Sequence, residues 1–163
     1  MTRLYFTRRG YQLLEARIAR LEQHLKEMYA PLAYLAEVGG DQYHDNFSYE
    51  QQMRDIQLLN DEMRRLKGFL PRAVIVEQSP AKPQEVSIGT TVEIEINTEK
   101  ATWEIVGFEE SDPQTGRLAY NTPLGSALMR LAIGETTMVK LNGQEKEITI
   151  LSIREAAWQG LSV

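Results

Sequence analysis

The sequence predicts an α+β protein, in which an N-terminal antiparallel helical hairpin is followed by a small antiparallel β domain with one short helix. Two patterns predict this fold. Apolar residues recur at steps of four and three in two stretches between positions 14 and 70, which is typical of paired helices. Apolar and polar residues then alternate in runs between positions 91 and 153, which is typical of strands. The 163 residues, 42% of them hydrophobic, suffice for a globular core.

The first helix is predicted to begin directly after Thr7, whose hydroxyl can accept a hydrogen bond from an amide at the start of a helix. Apolar residues between positions 14 and 35 then form one narrow seam, which faces a partner helix. Pro31 lies inside this repeat and predicts a kink, because proline lacks the backbone donor and clashes with the preceding turn. Gly39 and Gly40 predict the end of the helix.

A second seam of the same kind lies between positions 49 and 70 and includes Met53, and Pro71 is predicted to end it. About ten residues separate the two helices, so they most simply fold back on each other as an antiparallel hairpin. The seam alone equally allows pairing with a second chain, as in an arm that dimerises.

The second half of the chain reads as strands around one short helix. The predicted strands cover positions 91–96, 102–106, 137–141 and 147–153. Asn142 and Gly143 predict a tight hairpin turn between the last two strands. Thr122 can cap a short helix that begins at Pro123, because proline suits the first helical position.

The domain boundaries follow from these patterns and from the proline-rich stretch at 79–83. We predict the coiled-coil hairpin at 1–76, with an acidic tip near 40–48, and a linker at 77–84. The β domain follows at 85–158, and a short tail at 159–163.

The charge balance argues against a general nucleic-acid binder, since the chain carries 23 acidic and 18 basic residues, for a net charge of −5. Cysteine is absent, which excludes disulfides and thiolate metal sites. No apolar run is long enough to span a bilayer. These features favour a cytoplasmic protein with no membrane partner.

Asp41 and Asp45 are the candidate metal ligands at the hairpin tip. The Gly, Asp, Asn and Ser residues near them also suit an ordinary turn with helix caps, so turn formation alone accounts for their presence. The functional alternative is Mg²⁺, which binds oxygen ligands and often takes only one or two protein carboxylates. The rest of such a site would come from a partner or a phosphate substrate. Tyr43 and Phe47 add aromatic surface, which packs either on a partner or on the tip itself.

Five short motifs occur along the chain in a fixed order. They are Thr7-Arg8-Arg9-Gly10-Tyr11; Gly40-Asp41 with Asn46 and Tyr49; Thr122-Pro123-Leu124-Gly125-Ser126-Ala127-Leu128; Ile133-Gly134; and Val139-Lys140-Leu141-Asn142-Gly143. In this order and over nearly the whole chain, they resemble the Gre transcript-cleavage factors of bacterial RNA polymerase, GreA and GreB.

The resemblance implies a specific role. In that family the coiled coil enters the secondary channel of the polymerase, and an FKBP-like C-terminal domain docks on the enzyme. Asp41 and Asp45 would help to hold the second Mg²⁺ and a water, so that backtracked RNA is cleaved and arrested complexes resume elongation. The chain would be an accessory factor rather than an enzyme, and it would share Mg²⁺ with the polymerase. Its expected partners are bacterial RNA polymerase and the 3′ end of the nascent RNA, and the free protein is expected to be monomeric.

Further residues gain a candidate role from the same resemblance. Those expected to contact RNA or polymerase at the tip are Tyr43, His44, Asn46, Phe47, Tyr49 and Arg54. Arginines that could guide an RNA backbone, or simply form the solvated face of the hairpin, are Arg17, Arg20, Arg54, Arg64 and Arg65. In the β domain Trp103, Phe108, Tyr120 and Trp158 are the aromatic residues, and a small core uses most of them. We therefore expect docking rather than prolyl isomerisation.

The tip departs from the family pattern at two positions. Asp45 lies four positions after Asp41, whereas the family has its second acidic residue three positions after the first. Family members have a basic residue four positions after the tip tyrosine, but here that position is occupied by Met53. The nearest arginine, Arg54, follows one position later, which turns its side chain about 100° around the helix. The second hypothesis is therefore a regulator that binds the secondary channel without stimulating cleavage. The third is a coiled-coil adaptor or dimerisation module unrelated to transcription.

Overall fold

The computed structural model describes residues 2–38, 47–77 and 79–157, and within the helices it leaves the side chains of 33–38 and 47–49 undescribed. The elements in chain order are β1 (Leu4–Thr7), α1 (Arg8–Val38), α2 (Phe47–Lys67), β2 (Ala73–Val76), β3 (Thr90–Ile96), β4 (Glu99–Val106), β5 (Arg117–Ala119), α3 (Pro123–Leu128), β6 (Thr136–Leu141) and β7 (Gln144–Glu155). They form two compact units, Gln12–Arg72 and a second unit that joins Met1–Tyr11 to Ala73–Val163. The α+β fold class is confirmed.

Helix α1 starts where the sequence predicts. The Thr7 hydroxyl accepts a hydrogen bond from the backbone N–H of Gly10 at 2.9 Å, which satisfies one of the unpaired amides of the first turn. Pro31 lies within the helix, which continues to Val38.

The described helices include none that is long and apolar enough to cross a membrane.

Helices α1 and α2 form the predicted antiparallel hairpin. The seam is apolar and buried, and its most buried members are Leu14, Ile18, Leu25, Ile56 and Leu66. Polar contacts between the helices agree with an antiparallel pair, because Arg17 and Glu22 meet Glu62 and Lys67 near the end of α2, whereas Tyr29, further along α1, meets Asn60, which lies earlier in α2. These contacts are the ion pair of Arg17 with Glu62, that of Glu22 with Lys67 at 2.5 Å, and the hydrogen bond from Asn60 to the Tyr29 hydroxyl at 3.1 Å.

Helix α2 ends earlier than predicted. The apolar repeat extends to Leu70, but the helix stops at Lys67, and a turn leads into a 3-10 segment at Leu70–Arg72. The N–H of Gly68 still bonds the Arg64 carbonyl, whereas the N–H of Phe69 bonds the carbonyl three residues back. The glycine therefore tightens the chain into a shorter hydrogen-bonding pattern before Pro71.

The second unit contains a five-stranded sheet in the order β5-β4-β3-β7-β6. All neighbouring strands are antiparallel except β5, which runs parallel to β4. The hairpin between β6 and β7 turns at Asn142 and Gly143, with φ of 52° and 81°, as the sequence predicts for this pair. Helix α3 begins after Thr122, whose hydroxyl accepts from the N–H of Gly125 at 3.0 Å.

One apolar cluster forms the core of this unit. Its buried members are Val86, Val92, Ile94, Ile105, Leu118, Leu128, Val139, Ile148 and Ile150. They come from six elements of the chain and from the segment before β3, so the sheet and α3 share a single core.

The sequence patterns missed a second, two-stranded sheet. Strand β1 pairs with β2 in parallel, with Leu4 opposite Ala73 and Thr7 opposite Val76. Both strands have four residues, and β5 has three, too few to establish a period of two. The consequence is that the first residues of the chain belong to the same compact unit as the C-terminal sheet.

Candidate functional site

Most of the predicted tip residues lie outside the part of the chain that the structure describes. This holds for Asp41, Tyr43, His44, Asp45 and Asn46. Phe47 and Tyr49 lie in the first turn of α2, but their side chains are outside the description as well. The roles assigned to these residues therefore stay predictions.

Arg54 lies on the described part of α2, close to the tip. Its guanidinium is 3.6 Å from the Glu50 carboxylate and donates to the Gln51 side chain at 3.3 Å. All of these groups are solvent-exposed, and 53% of the Arg54 side chain is accessible. Exposed pairs of this kind contribute little to stability, so the arginine can exchange these contacts for a phosphate at small cost.

The sequence pattern predicted that Met53 lies in the buried seam. This prediction is wrong, because Met53 lies outside it. It is 38% exposed, and the neighbouring Gln52 instead faces α1, where its side-chain amide donates to the Met28 carbonyl at 3.2 Å. This carbonyl is adjacent to that of Glu27, which Pro31 leaves without its helical donor.

Three of the other four candidate arginines of the hairpin, Arg17, Arg64 and Arg65, have described partners within it. Arg17 pairs with Glu62, and Arg64 lies 3.1 Å from Asp61. The guanidinium of Arg65 lies over the Phe69 ring, 5.3 Å from its centre, in a cation–π contact. These contacts agree with the solvated-face interpretation, and the structure adds no evidence that these side chains bind RNA.

The N-terminal segment contains a polar cluster that sequence reasoning missed. Glu110, in the loop after β4, accepts from the Thr7 backbone N–H at 2.8 Å and is 2.5 Å from the Thr7 hydroxyl. The N–H of Phe108 donates to the Tyr5 carbonyl at 2.7 Å, which aligns this loop with β1. We call the contact between Thr7 and Glu110 the Glu110 clasp. The Thr7–Gly10 motif was the only sequence signal, and it gave no indication of the distant partner.

Burial raises the pKa of Glu110, and the hydrogen bonds from Thr7 oppose this effect only in part. The folded protein therefore binds this proton more tightly than the unfolded chain does. This contribution to stability is complete below the ordinary pKa of glutamate and is lost as the pH rises through the raised value.

Glu110→Gln should remove that pH dependence, because the amide cannot ionise. We expect the free energy of unfolding of the wild type, relative to the variant, to decrease as the pH rises from the ordinary pKa of glutamate through the raised value, measured by urea unfolding at constant ionic strength. Parallel pH profiles for the two proteins would contradict this expectation.

Three of the four aromatic candidates of the β domain are used in internal packing. Phe108 meets Phe6 edge to face with ring centres 5.8 Å apart, and Tyr120 meets Tyr5 in the same way at 6.0 Å. The Tyr120 hydroxyl also accepts from the Tyr5 N–H at 3.2 Å. Trp103 packs against the core cluster. Trp158 lies outside the described residues.

Comparison with known proteins connects this fold to one family. Residues 80–155 match the family described as "Transcription elongation factor, GreA/GreB, C-term". Over 152 residues the chain is 32% identical to transcription elongation factor GreA of Chloroflexus aggregans, covering 92% of this chain and 96% of that protein. The chain belongs to the GreA/GreB family. GreA of Roseiflexus castenholzii is 30% identical over the same shares of the two chains.

Solved structures of GreA/GreB proteins also match over most of the length. The GreA factor homologue Gfh1 of Thermus thermophilus is 22% identical, with a TM-score of 0.43, over 93% of this chain and 99% of that one. The GreA/GreB factor of Nitrosomonas europaea is 16% identical, with a TM-score of 0.40, over 94% and 99%. Family membership rests on the curated GreA relatives rather than on these structural likenesses.

Proposed function

We propose that this chain is a transcription elongation factor that binds bacterial RNA polymerase, inserts its coiled coil into the secondary channel and stimulates cleavage of backtracked RNA. The observation that carries the proposal is the position of the two carboxylates. Helix α1 ends at Val38 and α2 begins at Phe47, so Asp41 and Asp45 lie in the connection between two antiparallel helices. Similarity to GreA proteins over 92% of the chain supports the same role.

Asp41 and Asp45 have the donor chemistry that a shared Mg²⁺ requires. Their carboxylate oxygens are hard ligands, and two of them leave room for water and phosphate in the coordination shell. When bound, the metal lowers the pKa of the attacking water and neutralises charge on the reacting phosphate. The two carboxylates would help to hold the ion and to orient the water, while the polymerase supplies the remaining ligands. The chain is thus an accessory factor and not an enzyme by itself.

The other residues of the hairpin would contact the polymerase or the RNA 3′ end. At the tip these are Tyr43, His44, Asn46, Phe47 and Tyr49. Arg54 would approach the RNA from the side of α2, where its exposed pairing with Glu50 can be exchanged for a phosphate. The sheet domain would dock on the polymerase, and the free factor would be a monomer.

Transcript cleavage tests this proposal directly. Stalled, backtracked polymerase complexes are incubated with Mg²⁺ and the wild type, Asp41→Ala or Asp45→Ala, and shortened RNA is measured over time. We expect the wild type to accelerate cleavage and each variant to lose at least about tenfold of that acceleration, equivalent to about 1.4 kcal/mol of the barrier. Polymerase binding should be retained.

The matched control is Asp61→Ala, which removes an exposed carboxylate from α2 that pairs only with its neighbour Arg64 among the ion pairs described. It should cleave like the wild type. Equal activity of all four proteins would exclude a role for the tip carboxylates, and a wild type that does not bind polymerase would favour the adaptor hypothesis.

One observation favours a second function. The extra residue between Asp41 and the acidic residue before Asn46 lengthens the tip loop relative to the Gre pattern. Metal-assisted chemistry depends on placement within fractions of an ångström, so the longer loop would suit a regulator that occupies the channel without stimulating cleavage. In the same assay, tight polymerase binding by a wild type that leaves the cleavage rate unchanged would establish this alternative.

A further inference from the structure

The start of α1 lacks half of a standard capping box. In that motif the first capping residue accepts a hydrogen bond from the amide three positions on, and a Glu or Gln at that later position accepts from the backbone N–H of the cap. Here Thr7 makes the first bond, with Gly10 as donor. Gly10 has no side chain to make the second. The Thr7 N–H bonds instead to Glu110, 103 positions along the chain.

The space beside α1 is shaped for this distant carboxylate. A Cβ on Gly10 would overlap the Cγ, Cδ and Oε1 atoms of Glu110 and no backbone atom among its three nearest neighbours. The missing side chain at Gly10 therefore admits the carboxylate to Thr7. The Glu110 N–H also bonds the Gly107 carbonyl at 3.4 Å, which turns the loop toward the helix.

We propose that Glu110 is a positioning residue that completes the cap of α1 from the C-terminal part of the chain. The clasp lies within the compact unit that joins Met1–Tyr11 to Ala73–Val163, and α1 continues from there into the hairpin. Without the clasp the first turn of α1 frays, and a flexible segment then connects β1 to the rest of α1. A flexible connection lowers the effective concentration of the hairpin tip at the polymerase active site. The effect on cleavage rests on the proposed function, whereas the cap itself does not.

Hydrogen exchange in the full-length protein tests the cap. We expect Glu110→Ala to accelerate exchange of the amides at positions 8–11 roughly tenfold, because two bonds to Thr7 are lost, and to leave the middle of α1 unchanged. Glu110→Gln should restore wild-type exchange, since its carbonyl oxygen can accept from the Thr7 N–H and its amide can donate to the hydroxyl. Unchanged exchange in Glu110→Ala would overturn the proposal.

Gly10→Ala gives a sharper test. It should accelerate hydrogen exchange at positions 8–11 when residue 110 is glutamate and slow it when residue 110 is alanine. In the wild type the new methyl group displaces Glu110, so exchange at positions 8–11 becomes faster. In the Glu110→Ala background the three atoms nearest to the new methyl group are absent, and alanine is the better helix former, so the same substitution should slow exchange. If the two substitutions had additive effects on the exchange rates, the absence of a side chain at Gly10 would not be needed to make room for Glu110.

Cleavage stimulation at saturating factor concentration separates positioning from binding. Glu110→Ala should lower the saturated cleavage rate about threefold or more, with polymerase affinity within twofold of the wild type, and Glu110→Gln should recover the rate. If Glu110→Ala had faster hydrogen exchange at positions 8–11 but the same saturated cleavage rate as the wild type, the positioning role would be overturned. A wild type that stimulates no cleavage overturns the proposed function and with it the cleavage role of Glu110, while the exchange experiments still decide the cap.

Discussion

Replacement of Gly107 by alanine should lower the free energy of unfolding by about 3 kcal/mol or more. An added Cβ would lie 2.7 Å from the Cα of Phe6 and 2.7 Å from the backbone nitrogen of Thr7, and it would also overlap the Glu110 carboxylate. Backbone atoms of a paired strand cannot rotate aside as a flexible side chain can. The loop would have to separate from β1, with loss of the Phe108–Tyr5 bond and of the Glu110 clasp.

The measurement is urea unfolding followed by tryptophan fluorescence, since Trp103 belongs to the unit that contains Gly107. Gly143→Ala is the matched control. Gly143 has a φ of 81° and no neighbouring atom within 4 Å of its added Cβ, so only the left-handed backbone penalty of about 1 kcal/mol applies. Equal losses in the two variants would show that crowding at Gly107 is not the cause.

Truncation of Ile94 to alanine should cost about 3 to 4 kcal/mol. Ile94 is fully buried in the core cluster, and its strand, β3, is hydrogen-bonded to β4 on one side and β7 on the other. Collapse around the missing atoms is therefore restricted, and a cavity remains. Ile94→Val, which removes one methylene-sized group, should lose only about 1 kcal/mol in the same fluorescence-monitored unfolding.

Met138→Ala provides the control for the loss of an apolar side chain from the same sheet. Met138 is 57% exposed on the edge strand β6, so its removal should change the free energy of unfolding by less than about 0.5 kcal/mol. A loss at Met138 as large as that at Ile94 would mean that the surface of β6 is buried in an assembly.

The fold was predictable where many residues carry one pattern. The helical seam from Leu14 to Leu66 and the alternation in β3 both repeat often enough to be recognised, and the structure confirms them except at Met53, which is exposed. The end of α2 was predicted three residues too late, because apolar spacing continues through Leu70 although Gly68 changes the backbone hydrogen bonding. Strands as short as β1 carry no measurable period, so their pairing arises from tertiary contacts.

The Glu110 clasp could not be predicted for a different reason. Local patterns report neighbours three or four positions away, whereas the partner of Thr7 is 103 positions distant. Gly10 belongs to the first of the five motifs and Glu110 to none of them, and the sequence does not show that the two residues meet. The tip carboxylates Asp41 and Asp45 present the opposite case, since family resemblance assigns their role in the absence of described geometry.

The parallel pairing of β1 with β2 has a consequence for how the chain folds during synthesis. Strand β1 is synthesised well before its partner β2, because Leu4 pairs with Ala73. The partner of Thr7, Glu110, is synthesised later still, 103 residues after Thr7. At 5 to 20 residues per second this second delay is about 5 to 20 seconds. Helix α1 can form in microseconds, yet the strand that precedes it has no partner during that time. The N-terminal segment is therefore synthesised early and reaches its native contacts late, which leaves it open to proteolysis or mispairing on a nascent chain.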